Sequence, residues 1–202
     1  MATTVDYYLS PQSPWTYLGH ERFAEIARAA GAAIRILPVD LGRVFPVSGG
    51  LPLAKRAPQR QAYRLVELQR FSDFLGRPLN LQPRYFPVSG DDAAKLIIAV
   101  DEADGVAAAM KIAGAVMRGV WVEQRNIADP AVLQAMLTEN DLPASRLEQA
   151  QTQKVHERYE SDSQRAIDTG VFGAPCYVID GELFWGQDRL DFVERRLAKR
   201  GG

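Results

Sequence analysis

The segment Ser10-Pro11-Gln12-Ser13-Pro14-Trp15-Thr16-Tyr17 places two hydroxyls and two prolines between an apolar stretch and a long helical pattern. Proline suits the first turn of a helix, where its missing N–H costs nothing. Deeper in, it removes the hydrogen bond to the fourth residue back. With Ser10 as the cap, Pro14 would fall at the fourth helical position and could not donate to the Ser10 carbonyl. With Ser13 as the cap, Pro14 is the first helical residue and no bond is lost, so Ser13 is the expected cap. A serine here can serve as a cap and nothing more. It also stands where free N–H groups and the positive end of the helix dipole gather, which favours an anion such as a thiolate. No histidine lies close in sequence to activate Ser13, and no Gly-x-Ser-x-Gly elbow is present. The functional expectation is therefore that Ser13 donates a hydrogen bond to a thiolate brought by a ligand.

A second stretch, VFGAPCYVIDGELFWGQDRL (171–190), carries further candidates. Ala174-Pro175 is either a plain turn or a cis step that presents the Ala174 backbone to a peptide ligand as an added strand. Trp185, Gly186, Gln187 and Asp188 lead into a helix, with Asp188 either its cap or a ligand contact. Cys176 is the single cysteine, which excludes an internal disulfide and a Cys-x-x-Cys redox pair. It is either a buried strand residue or a thiol close to a bound sulfur. The two histidines, His20 and His156, are far apart in sequence. No zinc site is expected, and carboxylate metal sites stay open.

These residues need a scaffold. TVDYYL (4–9) and AIRILPVDL (33–41) read as strands around a helix of about 14–30, a β-α-β start that predicts parallel strands and a right-handed crossover. FPVSGGLPLAKRAP (45–58) is dense in Gly and Pro and reads as an irregular loop. Helical patterns follow at about 59–75, 91–103, 106–122 and 130–139, the last with Asp129 as cap and Pro130 as first residue. Residues 143–170 read as one long helix or two in series. APCYVI (174–179) and ELFWG (182–186) flank Asp180-Gly181, a strong hairpin signal, and a helix closes the chain at 188–200. The order predicts an α/β domain from 1–43 and 166–202 with an inserted helical domain at 44–165.

The 202 residues are 47% apolar with a net charge of −1. That suffices for a sizeable core and gives no electrostatic case for nucleic acid or an anionic membrane. No apolar run is long enough to cross a bilayer, and MATTVDYY lacks a signal-peptide pattern. The expectation is a cytoplasmic protein with no membrane partner.

Taken together, SPWTYLG, VDLGRVF and VFGAPCYVIDGELFWGQDRL closely resemble 2-hydroxychromene-2-carboxylate isomerases, which group with kappa-class glutathione transferases and DsbA-like oxidoreductases. The resemblance covers essentially the whole chain. It implies a thioredoxin-like fold (β-α-β … β-β-α) with a large helical insertion, glutathione as cofactor, a role in aromatic hydrocarbon catabolism and a homodimer. It implies that Ser13 donates to the glutathione sulfur, at the position where redox relatives keep the first cysteine of Cys-x-x-Cys; Thr16 stands at the second. Ala174, followed by a cis Pro175, would pair with the cysteinyl part. Trp185, Gly186, Gln187 and Asp188 match a W-G-[NQ]-D segment that holds the γ-glutamyl end, with Asp188 meeting its ammonium. The reaction implied is opening of 2-hydroxychromene-2-carboxylate to trans-o-hydroxybenzylidenepyruvate by reversible thiolate addition. The alternative is glutathione transfer to another electrophile.

The chain also departs from the pattern. Phe45 stands where a naphthalene-pathway isomerase has lysine. The loop SGGLPL lacks an asparagine that many relatives carry, and Cys176 replaces a frequent threonine. Phe45, Lys55, Arg56 and Tyr85 are the expected substrate contacts, with Lys55 and Arg56 either carboxylate ligands or solvated charges.

Overall fold

Four short strands form one sheet in the order β2-β1-β3-β4, where β1 is Thr4–Leu9, β2 Ala33–Pro38, β3 Cys176–Ile179 and β4 Glu182–Trp185. The computed structural model describes residues 3–199. Met1, Ala2 and residues 200–202, including the last position of the expected helix 188–200, lie outside them. β1 runs parallel to β2 and antiparallel to β3, and β3 runs antiparallel to β4. As a result the C-terminal end of β1, the start of β3 and the end of β4 meet at one edge. The register makes this concrete: Cys176 lies opposite Tyr8 on one side and Trp185 on the other. This is the thioredoxin-like arrangement expected from the sequence.

Side chains alternate across the sheet. Tyr7, Ile36, Tyr177 and Ile179 face one apolar cluster; Tyr8, Leu37, Cys176 and Val178 face the other. The first cluster takes in α1 (Pro14–Ala29), α4 (Asp91–Asp104), α5 (Val106–Trp121) and residues of α6 (Pro130–Glu139). The second lies against α2 (Leu41–Ser48) and the end of α8 (Gln153–Asp168). α3 (Pro58–Leu75) packs on α1, where Trp15 meets Phe71 edge-on at 5.9 Å. The short α7 (Ser145–Gln149) precedes α8, and α9 (Leu190–Ala198) ends the described chain. Among the described residues no helix is long and apolar enough to cross a membrane.

Three expectations need correction. The strand expected over 33–41 stops at Pro38, because Asp40 caps a helix by accepting from the Gly42 N–H at 2.7 Å. The loop expected from residue 45 therefore begins inside α2, which contains Phe45 and Pro46 and ends at Gly49 in the left-handed region (φ 77°). Lys55 ends a 3-10 turn, Leu53–Lys55. Residues 143–170 form two helices in series, one of the two arrangements expected. Asp188 is not a helix cap: a 3-10 turn, Gln187–Arg189, precedes α9, and no side chain caps either segment.

His20, on α1, is buried in the first cluster's polar seam. Its Nε2–H donates to the Met110 carbonyl at 2.9 Å, so its Nδ1 accepts from the Tyr7 hydroxyl at 3.0 Å. Burial holds its pKa below the usual imidazole value. A base whose folded pKa is depressed stabilises fully above its unfolded pKa of about 6.5 and loses that stability as pH falls through the folded value. Asp162 works in the opposite sense, its pKa pushed up to about 6 by burial. The two are separated by difference. The wild-type advantage in Tm over His20→Gln should shrink between about pH 7.5 and about pH 5; a constant difference would refute a neutral buried His20.

Candidate functional site

Ser13 caps α1 as the proline argument requires. Its extended backbone (φ −78°, ψ 121°) turns the hydroxyl over the first turn, where Oγ accepts from the Thr16 N–H at 3.2 Å. Pro14 is the first helical residue. The same hydroxyl donates to the Ala174 carbonyl at 3.2 Å, joining residues 161 apart in sequence. Ala174-Pro175 is cis. Ser13 and Ala174 are each 9% exposed, so this junction sits just beneath the surface.

The end of β4 reaches the same place. The Gly186 N–H donates to the Pro175 carbonyl at 2.9 Å. Gly186 adopts φ 106°, and a Cβ there would lie 2.5 Å from Asp188 Oδ1, so only glycine allows this turn. Asp188 is exposed and pairs with Arg189 at 2.7 Å. Gln187 is buried against α1: a Cβ on Gly19 would come within 2.8 Å of the Gln187 Cβ. Gln187 Nε2 has no hydrogen-bond partner. Trp185 is half exposed and packs its ring on Phe172 at 4.8 Å and along Gly173.

The structure thus brings together Ser13, Ala174, Pro175, Trp185, Gly186, Gln187 and Asp188. It adds Gln12, which sequence reading passed over: Gln12 Oε1 accepts from the Val88 N–H at 3.4 Å and ties the loop before α4 to the Ser13 turn. The four expected substrate contacts form no such group. Phe45 packs on Gly50 within its own segment, Lys55 is exposed, and Tyr85 lies under Arg84 at 5.2 Å. Arg56 Nε donates to the Leu51 carbonyl at 2.8 Å. Among the described residues no hydrogen bond or ion pair joins any of the four to Ser13.

Also missed was Arg64, half-buried on α3 with its guanidinium 5.4 Å above Phe86 and 5.7 Å from the Trp121 ring. The signal was available in the four-residue spacing of Arg56, Arg60 and Arg64.

Chemically, the junction offers a hydroxyl at the positive end of the α1 dipole, and among the described residues no base is bonded to it. His20 is committed to Tyr7 and Met110, so Ser13 has no imidazole to take its proton. Cys176 is fully buried at the start of β3, and burial pushes its thiol up to about 12. The site can hold an anion but cannot supply a thiolate of its own. Among the described residues no cluster of His, Cys, Asp and Glu is arranged to hold a metal ion.

The fold matches a known group. The DSBA-like thioredoxin domain family matches residues 4–198, and the chain belongs to it. It is 29% identical over 199 residues to the 2-hydroxychromene-2-carboxylate isomerase of Pseudomonas putida, covering 96% of this chain and 94% of that protein. A protein of the same name from Sphingobium xenophagum is 28% identical, covering 98% and 99%. The solved structure of a 2-hydroxychromene-2-carboxylate isomerase superposes with a TM-score of 0.79 at 26% identity, covering 97% and 95%. The resemblance read from the sequence is borne out, and these whole-length relatives are isomerases.

The buried state of Cys176 makes a direct prediction. A soluble aromatic disulfide reagent should leave the native protein unmodified and titrate one thiol only after denaturation. Full labelling on mixing would mean the thiol is open to the site.

Proposed function

We propose that this protein is a glutathione-dependent isomerase. It converts 2-hydroxychromene-2-carboxylate, or a related aromatic pyruvate adduct, to trans-o-hydroxybenzylidenepyruvate. The observation that carries the reading is the Ser13 hydroxyl at a helix N-terminus, hydrogen-bonded to the carbonyl that precedes Pro175. Similarity over nearly the whole length, at 28–29% identity, to proteins of that name supports it.

The residues present suit glutathione. The Ala174 carbonyl can accept an amide N–H from the cysteinyl part, as an added strand would supply. Gln187 Nε2, buried without a partner, and the exposed Asp188 carboxylate suit the γ-glutamyl end. Trp185 and Phe172 offer an apolar wall. When bound, glutathione would supply a thiolate that adds reversibly to the conjugated double bond and so permits its rotation.

The role of Ser13 follows from its two bonds. Without ligand, the Ser13 proton is directed at the Ala174 carbonyl. A ligand amide that takes over this carbonyl frees the hydroxyl to rotate and donate to the sulfur. The N–H groups and dipole of α1 favour negative charge at the same point. Thiols titrate near about 8.5, so these contacts are needed to hold thiolate at neutral pH. Lys55 and Arg56 would meet a carboxylate of substrate or glutathione, and Phe45 and Tyr85 would bound the aromatic part. We place the glutathione half in the thioredoxin-like segments 1–43 and 166–202, and the substrate half in the inserted helical segment 44–165. A cytoplasmic homodimer completes the proposal.

The departures on the substrate side, Phe45 above all, favour one alternative: a kappa-class-like transferase that uses the same thiolate on another electrophile. Net loss of free glutathione during turnover would identify it.

Isomerisation should require reduced glutathione and leave its concentration unchanged. Ser13→Ala should lower kcat/KM by about tenfold to a hundredfold, the worth of one charge-assisted hydrogen bond, and weaken the thiolate absorbance of the complex. Equal rates with and without glutathione, or full activity in Ser13→Ala, would refute the mechanism. The lost cap should also cost about 1 kcal/mol of stability, so activity is compared well below Tm.

A further inference from the structure

Arg64 stands apart from the other charges of the molecule. The other half-buried arginines are matched by carboxylates, as Arg146 is by Asp104 and Arg158 by Asp101, except Arg56, whose Nε donates to the Leu51 carbonyl instead. Among the described residues Arg64 has no carboxylate and no hydrogen-bonding acceptor. Its contacts are the faces of Phe86 and Trp121. Its neighbour in charge is Arg56, which in turn feels Arg60. Burial, with Arg56 beside it, pushes the Arg64 pKa down to about 10. Desolvating a cation next to other cations is unfavourable, and aromatic faces offset only part of that cost. An arrangement of this kind is complete only when an anion arrives.

Two independent lines place Arg64 on the side of the Ser13 turn. On α3, positions 64, 68 and 71 share one face. Leu68 is fully buried and Phe71 meets Trp15, two residues after Ser13. In the loop before α4, Phe86 lies beneath the Arg64 guanidinium, and Val88, two residues on, donates to Gln12, the residue before Ser13. Phe86 and Tyr85 are half-buried and leave aromatic surface beside the charge.

We propose that Arg64 receives the carboxylate of the aromatic substrate, with the substrate ring lying along Phe86 and Tyr85 and with Arg56 adding positive potential. Arg64 suits this task better than Arg56, whose Nε is already committed to the Leu51 carbonyl. The guanidinium over the Phe86 and Trp121 rings has no acceptor among the described residues, so its N–H groups are available for a bidentate carboxylate contact. The identity of the acid rests on the isomerase reading. The preference for an aryl carboxylate rests on Arg64 and its surroundings.

The test is equilibrium binding of trans-benzylidenepyruvate and of its carboxamide, without glutathione, to wild type, Arg64→Met and Arg64→Lys. Wild type should bind the acid at least about tenfold tighter than the amide. Arg64→Met, which keeps the apolar stem, should bind both alike, and Arg64→Lys should keep part of the preference. Because the charge is unpaired in the free protein, Arg64→Met should melt no lower than wild type. Arg64→Gln serves as a second uncharged variant if Arg64→Met does not fold. A wild type that does not discriminate acid from amide, or an uncharged variant that still does, would overturn the proposal. Glutathione-dependent turnover is measured separately. Its absence in a wild type that prefers the acid would sink the isomerase reading and leave Arg64 as an acid-binding residue.

Discussion

The hydroxyl of Ser13 holds two remote parts of the chain in one geometry. It accepts from its own helix and donates to the carbonyl of Ala174. That bond depends on the strand register. Because β1 and β3 are antiparallel, the residue that ends β1 and the residue that opens β3 come to the same sheet edge; because β3 and β4 are antiparallel, Gly186 arrives there too. A shift of one residue in either pairing would turn Tyr7 and Tyr177 to the opposite face and carry the whole junction with them. The stacked rings of Tyr7 and Tyr177, 5.4 Å apart with Phe23 against both, resist such a shift.

The junction differs from what thiol–disulfide exchange requires. A redox pair needs two thiols at the start of α1. Here α1 starts with the hydroxyl residues Ser13 and Thr16, and the single cysteine is enclosed between Tyr8 and Trp185 in the sheet register. What remains is the electrostatic half of the device, a helix N-terminus and a hydroxyl, which can steady an anion but not exchange electrons.

Charge elsewhere divides into two kinds. Ion pairs such as Arg77–Glu21 and Arg146–Asp104 link elements across the surface and carry little beyond local order. The arginines at 56, 60 and 64 have no ion pair among the described residues, and Arg56 lies close enough to Arg60 and Arg64 for their charges to oppose one another. In the acid-binding role proposed for Arg64, a ligand carboxylate would offset that repulsion, an exchange of stability for binding.

Local rules sufficed where one residue decides the outcome. Proline at the first helical position selected Ser13 over Ser10. Asp180-Gly181 set the final hairpin, and the single cysteine excluded a Cys-x-x-Cys pair. Local rules failed where composition was ambiguous. The Gly and Pro of 45–58 concealed α2, because the Asp40 cap and the contact of Val44 with the second apolar cluster outweigh one lost hydrogen bond at Pro46. Other features had little or no local signal. Nothing in the sequence near Gln187 says that it lies against Gly19, and the spacing of Arg56, Arg60 and Arg64 does not say that Arg64 has no carboxylate partner among the described residues. Burial and the absence of a partner are properties of what surrounds a residue. They exist only after the sheet register and helix packing have brought distant segments together.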